Sequence, residues 1–93
     1  MENKITKEKL KKYFSITEKA LKISKKSVIK SKETHAKEII EMVSNYLSDA
    51  KHFQSKGDFV NAFAAINYAH GWLDAGVRLD VFVVKDNKLF TIK

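Results

Sequence analysis

Lys56 to Leu79 reads KGDFVNAFAAINYAHGWLDAGVRL, a run in which only Lys56, Asp58, Asp74 and Arg78 are charged. Gly57 can take the left-handed conformation that ends a helix, and Asp58 is a strong N-cap for the next one. The pair therefore predicts a tight antiparallel helical hairpin. Winding the segment at helical pitch places Phe59, Phe63, Ile66, Leu73 and Val77 together, flanked by Ala62, Ala69 and Gly76. Small residues beside large ones let neighbouring helices approach closely while the large side chains fill the space between them.

The same winding puts Ala64, Tyr68, Trp72, Ala75 and Leu79 on the opposite side, where a plain three-helix bundle would expose them. The nearest cover in sequence is VFVVKDNKLFTI, in which Val81–Val84 and Leu89–Ile92 favour extended structure around a polar Lys85–Lys88 turn. A two-stranded hairpin is marginal in water by itself. It is expected to dock near Trp72, or else this face is expected to self-associate.

Upstream, Thr6 is a candidate N-cap, and Leu10, Tyr13, Phe14, Thr17, Ala20, Leu21, Ser24 and Val28 recur at spacings of three and four. Regularity fades into a serine- and lysine-rich linker. Beyond Thr34, Ala36, Ile39, Ile40, Val43, Leu47, Ala50 and Gln54 trace a second stripe, with Met42, Tyr46 and Phe53 as a flanking row. Two apolar rows on one helix predict two neighbours. The expected architecture is all-α, one domain over 1–93: a three-helix bundle with helices at about 6–25, 35–56 and 59–79, the last two an antiparallel hairpin, and a short β-like tail at 81–92.

With 93 residues, 44% hydrophobic and 31% charged, the composition is that of a globular chain. Cysteine is absent, and no apolar run reaches membrane-spanning length, so a cytoplasmic protein without membrane attachment is expected. The net charge of +7 lies wholly within residues 1–38. A basic block attracts nucleic acid or acidic partners. It is equally the solvated face of a helix, and 17 of the 18 basic residues being Lys favours that reading, since Arg is the usual residue for bidentate phosphate and base contacts.

The block Asp49–Leu79 resembles the signature region of a family of short archaeal proteins catalogued as domain of unknown function 357. The resemblance is carried by Asp49-Ala50, Phe53, Lys56-Gly57-Asp58, Asn61-Ala62-Phe63, the run Asn67–Ala75, and Arg78-Leu79. It implies a small helical fold and an archaeal source, and no reaction. Gly57-Asp58-Phe59 followed by Ala62 and Ala69 is also similar to the inner turn of helical-hairpin interaction modules. No second copy recurs at a repeat-like period, which argues against a solenoid.

One polar line stands out on the third helix: Asn67, His70, Asp74 and Arg78. His70 and Asp74, four residues apart, suit a proton shuttle or two metal ligands, and Arg78 an anion. The structural alternative is an Asp74–Arg78 pair, with His70 donating to Asp74 or to a backbone group. His35 and His52 are not placed to converge on it. No catalytic residue, cofactor site or metal-ligand set is assigned, because the three glycines form no phosphate loop and no nucleophile context exists.

The functional expectation is a non-enzymatic helical protein-interaction module or accessory subunit, using the Tyr68, Trp72 and Leu79 surface to bind another protein or itself. The alternative is a basic nucleic-acid-binding protein whose lysines hold phosphates while Tyr68 and Trp72 stack bases. A third reading is a small ligand-binding protein or enzyme centred on His70, Asp74 and Arg78.

Overall fold

The structure, a computed structural model, describes residues 4–85 and 88–90. Three helices form: α1 (Lys7–Lys25), α2 (Glu33–Ser55) and α3 (Phe59–Arg78). They match the expected boundaries except that α2 begins at Glu33, two residues early. Its N-cap position is Lys32, whose side chain makes no capping bond. At α1 the Thr6 hydroxyl accepts the Lys9 N–H at 3.1 Å.

The α2–α3 turn is built as its residues dictate. Gly57 has φ 75°. The Gly57 N–H donates to the Gln54 carbonyl (3.0 Å) and the Asp58 N–H to the Phe53 carbonyl (2.9 Å), the two bonds of a Schellman C-cap. Asp58 then caps α3, accepting from the Asn61 N–H at 3.2 Å and from the Asn61 side-chain amide at 2.7 Å. One dipeptide thus satisfies orphan carbonyls of one helix and orphan N–H groups of the next.

Packing is tightest between α2 and α3, and α1 lies mainly against α3. The buried side of α3 is centred on its small residues, Ala62, Ala65, Ala69 and Gly76, with Ile66, Leu73 and Val77. Phe59 and Phe63 are only half-buried, at the margin of this side. The core divides into a cluster of Leu10, Ala50, Ala62, Ala65 and Ile66, and a larger one that includes Ile39, Val43, Leu47, Leu73 and Val77. Phe14 and Tyr46 pack against both.

The tail reaches the neighbourhood of Trp72 only at Val81, which lines a recess with it, and leaves Trp72 and Tyr68 exposed. Phe82 and Phe90 enter the larger core cluster instead. Among the described residues no strand forms. Val28 and Phe82 make a single antiparallel bridge, in which the Ile29 N–H donates to the Val81 carbonyl and the Val83 N–H to the Ser27 carbonyl, both at 2.9 Å. The β-favouring stretch thus pairs with the α1–α2 connection. Of the expected hairpin, Asp86-Asn87 and Thr91-Ile92 lie outside the described residues.

The end of α3 explains this course. The Val81 N–H donates to the Gly76 carbonyl (2.8 Å) and the Asp80 N–H to the Val77 carbonyl (3.2 Å), a second Schellman cap. Asp80, at φ 60°, occupies the left-handed position usually held by glycine. The cap reverses the chain and delivers Val81 and Phe82, 4% and 2% exposed, into the core beside Gly76.

Candidate functional site

α3 presents two surfaces that the sequence singled out, one polar and one apolar. On the polar line, His70 and Asp74 are half-buried while Asn67 and Arg78 are exposed. His70 Nδ1 lies 3.0 Å from the hydroxyl of Thr17, a residue of α1 that is 1% exposed. Its Nε2 hydrogen-bonds the Leu89 carbonyl in the tail. That carbonyl only accepts, so Nε2 carries the proton, and in the neutral ring Nδ1 then accepts from the Thr17 hydroxyl.

Both ring nitrogens are therefore engaged by the fold. His70 bonds to a backbone group, one of the two structural alternatives, and its Nε2 stands 3.9 Å from Asp74 Oδ1, beyond hydrogen-bond range. The imidazole pins α1 and the tail to α3. A cleft of about 370 Å³ opens beside it, lined by Tyr13, Thr17, Asn67, His70, Asp74 and Lys88 among others. Thr17, Tyr13 and the tail residues were not part of the sequence-derived site. Thr17, which with Ser24 is a polar residue on the buried α1 stripe, was the available signal, since a buried hydroxyl needs a partner.

His35 and His52 are both exposed, His35 in the recess beside Trp72 and His52 with its ring 6.0 Å from that of Phe53. Among the described residues, no group of three or more His, Cys, Asp or Glu side chains is arranged to hold a metal ion.

The apolar surface is the outward side of α3. Val60, Tyr68 and Leu79 are 69%, 63% and 70% exposed, and Trp72 is 40% exposed. Gly71 and Ala75 between them are also exposed. Tyr68 leans on Tyr46 of α2, their rings stacked at 5.6 Å with 25° between planes. A shallow hollow runs past Asn67, Tyr68, Gly71, Trp72 and Ala75. A second recess continues it between Trp72, Leu79, His35, Ile39 and Val81, where the tail touches the border of this face.

The exposed lysines of α1, including Lys11, Lys12, Lys19 and Lys22, belong to a different flank. α1 meets α3 through the Tyr13–Phe63 ring contact (5.3 Å) and the Thr17–His70 bond, whereas Tyr68 sits on the α2 side. The basic helix and the aromatic edge thus border opposite sides of α3. Two lysines are spent on aromatic faces, Lys9 over Phe63 at 5.9 Å and Lys51 over Phe14 at 5.4 Å. No helix among the described residues is long and apolar enough to cross a membrane.

No curated protein and no solved structure matches this chain. A family match covers the helical core, from the first half of α1 through the hairpin to the bridge residue Phe82. Residues 12–82 fit the family described as "Protein of unknown function (DUF357)", and the chain belongs to that family.

Proposed function

We propose that this protein is a non-enzymatic helical interaction module whose docking surface is the outward face of α3. The observation that carries the reading is the exposure of Tyr68, Trp72 and Leu79 on one helix face while the apolar tail is folded into the core elsewhere. Trp and Tyr are enriched among the few residues that carry most of the binding energy at protein interfaces. The polar line supports an enzyme less well, because both nitrogens of His70 already serve the fold. An archaeal source and a cytoplasmic setting belong to the same proposal, resting on the residues of the family resemblance and a cysteine-free composition.

A photoreactive residue placed at Tyr68 or, as a control, at Lys22 of α1 tests the reading in cells. Protein adducts at Tyr68 with none at Lys22 are expected. Adducts confined to Lys22 would overturn it.

The second reading, nucleic-acid binding, draws on the exposed lysines of α1. Its mark would be a mobility shift with labelled RNA or DNA that weakens steeply as salt rises. The separation of those lysines from Tyr68 and Trp72 weighs against one site that both stacks bases and holds phosphates.

A further inference from the structure

We infer that the outward flank of α1 seats in the major groove of duplex DNA and holds both phosphate walls without reading sequence. The inference rests on the nucleic-acid reading and narrows it to one form of nucleic acid. Every exposed residue of α1 is Lys, Glu or Ser, six of them lysines against Glu8 and Glu18. α2 exposes the opposite balance, Glu33, Glu38, Glu41 and Asp49 against Lys37 and Lys51. Solubility needs net charge and is indifferent to where it sits, whereas charge sorted to one flank gives the field a direction that orients a polyanion. Glu8 and Glu18 stand three or four residues from Lys11, Lys12 and Lys22, the spacing of helical ion pairs. Among the described residues, no lysine of α1 is neutralised in that way.

The lysines lie in two rows. At about 100° per residue, Lys12, Lys19 and Lys26 follow one line along the helix, and Lys7, Lys11, Lys22 and Lys25 another roughly 90° away. The small Ser15 lies between them. The rows run about 28 Å at helical rise, and α1 packs mainly against α3, which leaves the flank that bears them to solvent. A helix is about 10–12 Å across and the major groove of B-DNA about 12 Å wide, so a seated helix points one row at each wall. A flat anionic bilayer meets the two rows less well and takes up apolar side chains, of which α1 exposes none. Single strands are held by stacking on aromatic rings, and Tyr68 lies on the α2 side of α3. The major groove of an RNA duplex is too deep and narrow for side chains to enter. No Arg, Asn or Gln is exposed on α1 to read base edges in pairs of hydrogen bonds, so the contacts are to phosphate. The outward face of α3 stays open to a protein partner while the duplex is held.

Fluorescence anisotropy of the full chain with labelled DNA duplexes of two unrelated sequences, each about two helical turns long, tests this. Equal affinity for both sequences is expected, falling steeply with salt. About five neutralised phosphates give a slope of about −4.5 in log K against log salt, roughly a 500-fold loss between about 50 and 200 mM. Lys12→Gln with Lys19→Gln, from one row, should make that slope shallower by about 2, with an unchanged circular-dichroism spectrum. Lys11→Gln with Lys22→Gln, from the other row, should do the same, and Lys37→Gln on α2 should leave the slope where it is. An effect from one row alone would overturn the seating in the groove. Single-stranded DNA or an RNA duplex bound as tightly as the DNA duplex would overturn the inference while keeping the broader nucleic-acid reading. Binding to phosphatidylserine vesicles with none to nucleic acid at low salt, or no binding at all, would overturn both. The docking face of α3 is judged separately, by the adducts at Tyr68.

Discussion

Gly76 and Phe82 occupy one another's space. A methyl group at Gly76 would lie 2.5 Å from Phe82 Cε2 and 3.2 Å from Ile39 Cδ1, and Phe82 is 2% exposed, with no room to withdraw. The glycine is what lets the tail's aromatic ring reach the α2–α3 contact. Gly76→Ala should therefore destabilise the protein by about 1–3 kcal/mol through overpacking, even though alanine is the better helix former. Urea denaturation measures it.

Gly71→Ala should act in the opposite direction. Nothing lies within 4 Å of a methyl group there, and the residue is helical and exposed. Removing a mid-helix glycine should raise the stability of the isolated chain by about 0.5–1 kcal/mol. Two glycines five residues apart thus carry opposite expected signs, which denaturation of both variants at low protein concentration would check.

Thr17 and His70 should be energetically coupled although 53 residues separate them. Thr17→Val removes the hydroxyl and leaves Nδ1 without its partner, at a cost of about 1–2 kcal/mol. In a double-mutant cycle with His70→Leu, a coupling of roughly 1 kcal/mol is expected. Additivity would show the contact to be energetically idle.

Phe90→Ala should cost about 3–5 kcal/mol, the usual loss for a buried phenylalanine. Phe90 is 3% exposed, 6.4 Å from the His70 ring between centroids, and follows the Leu89 carbonyl that His70 holds. The same variant should speed deuterium exchange of the Val83 and Ile29 N–H groups, which bond across the bridge. Unchanged exchange there would separate the tail's packing from its pairing.

Asp58→Ala should lower stability by about 0.5–2 kcal/mol through loss of the α3 cap. Its carboxylate holds both the backbone and the side chain of Asn61. Asp58→Asn should lose less, since an amide oxygen still accepts from the backbone N–H. Thermal melts of the two variants would rank them.

The helices and their hairpin were legible because their determinants are local: Thr6, Gly57 and Asp58 each act within a few residues, and the apolar stripes repeat at the helical period. What eluded the sequence was non-local. Val81–Val84 carries extended propensity but no mark of its partner, and the α1–α2 connection that receives it looks like an ordinary polar linker. The expected core face of α3 is rotated from the observed one, because it weights large residues over small: Phe59 and Phe63 are half-buried, whereas Ala62, Ala65 and Ala69 are buried. Of the polar line, His70 is held by partners on α1 and the tail, which no spacing within α3 marks. The apolar outward face of α3 follows from the helical winding alone, whereas the core position of Phe82 and Phe90 rests on contacts distant in sequence.

The bridge between Val28 and Phe82 has a bearing on how the chain matures during translation. The first helix hands over to the second through a segment clasped by a residue made on the order of fifty positions later, so that loop waits on the completion of α3. On a ribosome adding about 5–20 residues per second, it stays unclasped for several seconds. The hairpin of α2 and α3, closed by neighbours in sequence, is free to assemble beforehand and to serve as the template on which the remainder settles.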